Sequence, residues 1–144
     1  MEKIKLLHKV IDRYISFERL RKENLAKLHD LYKSLQLEQK IKNFDELFTF
    51  NAINVTGISL QKGQLLKPQP EKYLQIIGIK KIDNRSKNIN LRYFGKIEKI
   101  ELQTIEDVGE FILRWRLEKS FLGVENYKEI LGELLEKRSL EQTV

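Results

Sequence analysis

The sequence predicts an α+β fold in a single domain, with a long N-terminal helix, a four-stranded mostly antiparallel sheet and two C-terminal helices. Three observations favour this class. Residues 2–37 contain neither glycine nor proline, residues 54–103 carry strand and turn patterns, and apolar residues recur at helical spacing after Thr104. With 144 residues, of which 41% are apolar, the chain is long enough to form one hydrophobic core.

The N-terminal segment 1–42 is predicted to be a long helix that serves as a packing or oligomerisation arm. Eight of its ten heptad a and d positions are apolar or aromatic, and Glu18 and Arg21 are the exceptions. This stripe has two interpretations, a core helix lying on its own chain or an interface for a partner helix. The predicted partner-helix interface consists of Ile4, Leu7, Ile11, Tyr14, Leu25, Leu28, Tyr32 and Leu35.

The segment 43–144 is predicted to be an α+β body with a basic β-hairpin and a C-terminal helical pair. Strands are expected at 54–61 and 73–82, and a hairpin turn at Gly95 and Lys96, because glycine in the first central position is typical of a type II′ turn. In this register Arg92 faces Lys99. It places Ile89, Leu91, Ile100 and Leu102 on the inner face, and Asn90, Arg92, Lys99 and Glu101 on the outer face.

The two C-terminal helices are predicted from capping signals. Thr104 resembles an N-cap before an acidic first turn, and Gly123 is a candidate for the residue that ends this helix. Asn126 then caps a last helix with an apolar side. Residues 103–144 carry more acidic than basic side chains, whereas the middle of the chain is basic.

The strongest functional signal is a basic segment. Residues 80–99 contain seven Lys or Arg and only two acidic residues. Cations on a β-ribbon, mixed with amides and aromatic rings, can contact phosphates and bases, so we predict a non-catalytic nucleic-acid-binding protein that makes mainly phosphate contacts to DNA or RNA. The predicted site comprises Lys80, Lys81, Arg85, Lys87, Asn90, Arg92, Phe94, Lys96 and Lys99. A solvated outer sheet face would have a similar composition.

The alternative function is that of a protein-interaction adaptor, assembly subunit or inhibitor. Such a protein would bind a protein partner, or a second copy of itself, through the long N-terminal helix or the acidic C-terminal helix.

Catalytic residues, metal sites and cofactors are not expected. The chain has no cysteine, and His8 and His29 lie roughly 30 Å apart on one predicted helix. Glu98 and Glu101 would point to opposite faces of a strand, so they cannot form a carboxylate pair there. No stretch approaches the ~18 apolar residues of a membrane span, so we expect a cytoplasmic protein without a membrane partner.

Overall fold

The computed structural model describes residues 2–142, except for the side chains of Val10, Asp12, Tyr14, Ile15 and Gln142. Its main elements are the helices α1 (Glu2–Ser34) and α2 (Leu102–Gln142) and the strands β1 (Ala52–Thr56), β2 (Tyr73–Ile82) and β3 (Arg85–Lys96). Short 3-10 helices lie at Leu37–Gln39, Phe44–Thr49 and Ile97–Lys99.

The predicted architecture is wrong, although the mixed α and β content is confirmed. The described chain has three strands instead of four, in the antiparallel order β1-β2-β3, and one long C-terminal helix instead of two. Helix α1 and two of the 3-10 helices precede the sheet.

The hairpin turn lies earlier in the chain than predicted. It is formed by Asp83 and Asn84, with φ of 52° and 65°, between the paired strands β2 and β3. Two consecutive residues at positive φ are typical of a type I′ turn, and Asp and Asn tolerate this conformation because their side chains are short and polar. Gly95 lies inside β3, and the residues after it form a 3-10 turn and then α2. The predicted pairing of Arg92 with Lys99 is therefore wrong.

Helix α2 continues through the predicted break. Gly123 and Gly132 are both helical, and a glycine costs only about 1 kcal/mol relative to alanine inside a helix. Asn126 also lies within the helix and does not begin a new one. The favourable helix formers on both sides of these residues explain why α2 reaches Gln142.

One hydrophobic core joins the sheet to both helices. One face of the sheet contributes Ile53, Leu74 and Ile76, and the C-terminal half of α1 and the N-terminal half of α2 cover it. Phe50 packs on Gly78, where an added Cβ would lie 2.5 Å from a ring carbon. We call this part of the molecule the body. The helices contribute Leu28, Leu31, Tyr32, Leu35, Ile105, Val108, Phe111, Ile112 and Trp115 to its core.

The irregular segment 35–50 is fixed to the body by side chains that satisfy its carbonyl groups. The indole of Trp115 donates a hydrogen bond to the Leu47 carbonyl at 2.9 Å, and the hydroxyl of Tyr32 donates to the Ile41 carbonyl. Because a buried carbonyl without a partner is costly, these bonds stabilise a segment that lies outside the sheet.

Candidate functional site

Strands β2 and β3 extend beyond β1 as a two-stranded ribbon. The pairing of β1 with β2 ends where Ala52 lies opposite Ile79, and the side chain of Asn51 accepts one further hydrogen bond from the Lys81 amide at 2.8 Å. Residues 80–87 form the end of this ribbon, and we call them the ribbon tip.

The ribbon tip brings together four of the predicted nucleic-acid-binding cations. Lys80 lies directly opposite Lys87, and Arg85 lies opposite Ile82 on the same face, because side chains alternate along a strand. Lys81 lies on the other face. The ammonium group of Lys80 is 4.6 Å from the centroid of the Phe50 ring, which places this side chain at the base of the tip.

Arg92 and Phe94 are not on the outer face of the sheet, contrary to the predicted register. Arg92 lies opposite the buried Ile76, donates a hydrogen bond to the Leu35 carbonyl just after α1, and lies 4.5 Å from the centroid of the Phe94 ring. Phe94 is partly buried against the core. The cause is two register shifts between β2 and β3, because an extra residue in one strand reverses the alternation of its side chains.

The other predicted residues are separate from the tip. Asn90 is exposed opposite Ile77, on the sheet face away from the core. Lys96 ends β3, roughly 30 Å along the strand from Lys87. Lys99 is exposed in the turn that precedes α2. The predicted residues therefore form one cationic group at the tip, with the others elsewhere.

A second candidate site is formed by the ends of the two long helices that lie away from the sheet. Helices α1 and α2 are antiparallel, since Asn24 donates to the Arg114 carbonyl at 3.0 Å and the rings of Phe17 and Phe121 are 5.0 Å apart. Beyond the contact between Asn24 and Arg114, residues 2–20, which include Phe17, and residues 122–142 continue away from the body. We call them the helical arm, and its two helical segments are about 28 and 31 Å long.

The arm has no buried side chain among those that the structure describes. Every described side chain in 2–20 and in 124–141 is exposed. Many of them are large and apolar, and their exposure contrasts with the 0–8% of the core. The apolar residues that are 36–74% exposed include Ile4, Leu6, Leu7, Ile11, Phe17, Leu20, Leu122, Val124, Tyr127, Ile130, Leu131, Leu134 and Leu135.

The apolar stripe of α2 in the arm does not face α1. The contacts of Arg114 and Phe121 mark the side of α2 that faces α1. At about 100° per residue, the apolar stripe lies roughly 110° around the helix from that side. This stripe, which we call the α2 stripe, consists of Val124, Tyr127, Leu131 and Leu134, with Ile130 at its edge. Its spacing of three and four residues is visible in the sequence, where it predicts only the apolar side of a separate last helix.

Helix α1 has a corresponding stripe on the other side of the arm. Ile4, Leu7 and Ile11, which we call the α1 stripe, lie roughly 100° around α1 from the side that contacts α2. Because the helices are antiparallel and both right-handed, these two rotations place the stripes on opposite sides of the arm.

The predicted partner-helix interface is divided between the body and the arm. Leu28, Tyr32 and Leu35 are buried in the core of their own chain. Ile4, Leu7 and Ile11 are exposed in the arm, and Leu25 is 38% exposed near its base. The side chain of Tyr14 lies outside the described part of the chain.

Charged residues join the two helices at the base of the arm. Arg21 pairs with the carboxylate of Glu118 at 3.2 Å and also contacts Glu125. Glu118 is 3% exposed, and its Oε2 has no hydrogen-bond partner in the described part of the chain. Burial therefore raises the pKa of Glu118, an effect that the nearby Arg21 guanidinium only partly offsets. The hydrogen bond from Arg21 lowers the pKa of Glu125.

The described residues 2–142 contain no group of three or more His, Asp or Glu side chains that is placed to hold a metal ion. None of the helices in that range has the length and apolar character needed to cross a membrane. Comparison of the chain with family models, curated proteins and solved structures finds no match. The ribbon tip and the helical arm are therefore the two candidate sites of the described chain.

Proposed function

We propose that this protein is an assembly subunit whose helical arm binds the arm of a second copy of the chain. The observation that carries the proposal is the exposure of the α1 and α2 stripes. Contiguous apolar side chains on a helical surface are typical of protein interfaces, and a helix in water gains stability when its apolar stripe is covered.

The total surface area supports an interface of substantial size. The accessible surface is 11151 Å², whereas a compact monomer of this mass has about 7,800 Å² by the usual scaling. The excess exceeds the ~800 Å² that each partner contributes to a standard stable interface. The arm therefore offers enough area for one copy to contact neighbours on both of its sides.

The charges of the arm favour a second copy as the partner. The α1 part, residues 2–20, carries five basic and three acidic residues, while the α2 part, residues 122–142, carries three basic and five acidic residues. The α1 stripe of one copy and the α2 stripe of another are thus apolar surfaces on helices of opposite net charge. This complementarity favours contact between unlike helices.

Contact between unlike stripes has a geometric consequence. The two stripes lie on opposite sides of the arm, so one copy can bind a neighbour on each side. Such a heterologous contact produces a ring or an open chain of subunits, whereas an isologous contact would stop at a dimer.

The experiment is sedimentation velocity from about 1 to 100 µM, a range that detects association with a micromolar dissociation constant. Wild-type protein should form species larger than a dimer as its concentration rises. A variant with Tyr127→Ser, Leu131→Ser and Leu134→Ser should remain monomeric throughout.

The matched control replaces three exposed apolar residues that lie outside the arm, Leu65→Ser, Ile82→Ser and Leu102→Ser. It removes a similar apolar surface and should assemble like the wild type. A wild-type protein that stays monomeric over the whole range would refute the proposal, and so would equal loss of assembly in the control.

A further inference from the structure

The ribbon tip has a charge arrangement that a purely structural hairpin does not need. Lys80 and Lys87 are directly opposite each other, although like charges at this separation destabilise a pair of strands. Arg85 lies on the same face, and Asp83 is the one acidic residue in 80–87. An anionic partner would convert this repulsion into attraction.

The position of the tip makes these cations available. Lys81, Arg85 and Lys87 are exposed, and the tip lies beyond the end of β1, so no strand of the described chain pairs with the outer edge of β2 there. The type I′ turn and the backbone pairing of β2 and β3 hold the cationic side chains at fixed relative positions. A preorganised set of cations loses less conformational entropy on binding than a flexible tail.

We infer that the ribbon tip binds double-stranded DNA, mainly through its phosphates. A two-stranded β-ribbon fits the major groove of B-form DNA, which is about 12 Å wide, whereas the deep and narrow major groove of A-form RNA excludes it. Four cations suit a weak contact that is largely independent of base sequence. Ser86 and Asn88, on the face that also carries Lys81, add neutral groups that can donate hydrogen bonds.

This inference is independent of the arm. The tip and the arm are formed by different elements, and monomeric protein carries a complete ribbon tip. The α2-stripe variant described above should therefore bind DNA with the same salt dependence as monomeric wild-type protein, whatever the outcome of the assembly experiment.

The test is fluorescence anisotropy with a short labelled DNA duplex of mixed sequence and a labelled RNA duplex of the same sequence. If all four cations contact phosphates, the slope of log K against log salt is about −3.6 for the DNA duplex, and affinity falls about 150-fold between 50 and 200 mM salt. The RNA duplex should bind more weakly at each salt concentration.

Two charge variants separate a local site from general attraction by a basic protein. The ribbon variant, with Lys80, Lys81, Arg85 and Lys87 each changed to Gln, should lose binding at least about 100-fold at 50 mM salt. The control, with Lys40, Lys62, Lys67 and Lys72 each changed to Gln, has the same net charge and should bind within about threefold of the wild type. A variant with Lys80→Arg, Lys81→Arg and Lys87→Arg, which keeps all four positive charges of the tip, should retain binding.

Four results would overturn the inference. They are absence of DNA binding by the wild type at 50 mM salt, equal losses in the ribbon and control variants, equal or tighter binding of the RNA duplex, and binding to anionic phosphatidylserine vesicles without binding to DNA. The single variant Lys87→Gln provides a test that does not depend on the folding of the fourfold variant. It should reduce the magnitude of the slope of log K against log salt by about 0.9.

Discussion

The two halves of helix α1 have the same apolar repeat in different surroundings. In the body half, Leu28, Tyr32 and Leu35 are buried under the sheet and α2. In the arm half, Ile4, Leu7 and Ile11 continue the repeat but are 46–61% exposed. A periodic apolar stripe therefore identifies the face of a helix that binds another surface, whereas the tertiary structure decides whether that surface belongs to the same chain or to another one.

Helix α2 shows the same contrast with one difference. In the body half of α2, Val108, Phe111 and Trp115 lie in the core. In the arm half, the α2 stripe lies on a different side of the helix. A helix whose apolar side changes direction along its length has two separate surfaces to cover. The first is covered by the body, and we propose that the second is covered by a second copy.

The largest expected effect comes from truncating Leu28 in the body half of α1. Leu7 occupies the same heptad position in the arm half, so the two leucines form a matched pair. Leu28→Ala should lower the free energy of unfolding by about 2–5 kcal/mol, because Leu28 is fully buried and its removal leaves a cavity. Leu7→Ala should lower it by less than about 0.5 kcal/mol in dilute monomer. Urea unfolding followed by circular dichroism measures both. Equal losses would mean that the arm belongs to the core of its own chain.

A smaller loss of stability is expected from substitutions in the turn of the ribbon, which belongs to neither the body nor the arm. Asn84 has φ of 65°, a conformation that β-branched residues rarely adopt, so Asn84→Val should destabilise the protein by about 1–2 kcal/mol. Asn84→Gly should leave stability unchanged or raise it. Thermal unfolding of the two variants provides the measurement. A neutral Asn84→Val would argue against the type I′ turn and against the register that groups the tip cations.

The smallest effect concerns Glu118, at the boundary between body and arm. Its raised pKa means that the folded protein holds this proton more tightly than the unfolded chain, so its contribution to stability decreases as pH rises from the ordinary range of Glu through the raised pKa. Glu118→Gln removes this titration. The wild type should therefore lose stability relative to Glu118→Gln over that pH window, as measured by urea midpoints at a series of pH values. A difference that stays constant with pH, or grows in the other direction, would contradict the raised pKa.

Local sequence signals were sufficient for some elements and insufficient for others. The strand predicted at 73–82 coincides with Tyr73–Ile82, because continuous apolar and β-branched residues are bounded there by clear turn residues. The turn was misplaced because two short segments compete for it. Gly95 has the stronger glycine signal, yet Asp83 and Asn84 form the turn, since their position allows β2 and β3 to pair over ten or more residues.

The candidate sites were predictable to different degrees for physical reasons. The basic cluster around Lys80 to Lys87 is visible in the sequence because it is contiguous. The orientation of Arg92 was not predictable, because it depends on two register shifts that carry no distinctive residue pattern. The break predicted at Gly123 failed because a single glycine weakens a helix without ending it.

The most direct test of the arm as an interface between unlike stripes is a mixing experiment. One variant carries Ile4→Ser, Leu7→Ser and Ile11→Ser, the other carries Tyr127→Ser, Leu131→Ser and Leu134→Ser, and each is examined by sedimentation velocity alone and in an equimolar mixture. Each variant alone should be monomeric, and the mixture should form a 1:1 dimer, because only one intact pair of stripes remains. A mixture that stays monomeric, or an α1-stripe variant that still assembles alone, would contradict the account.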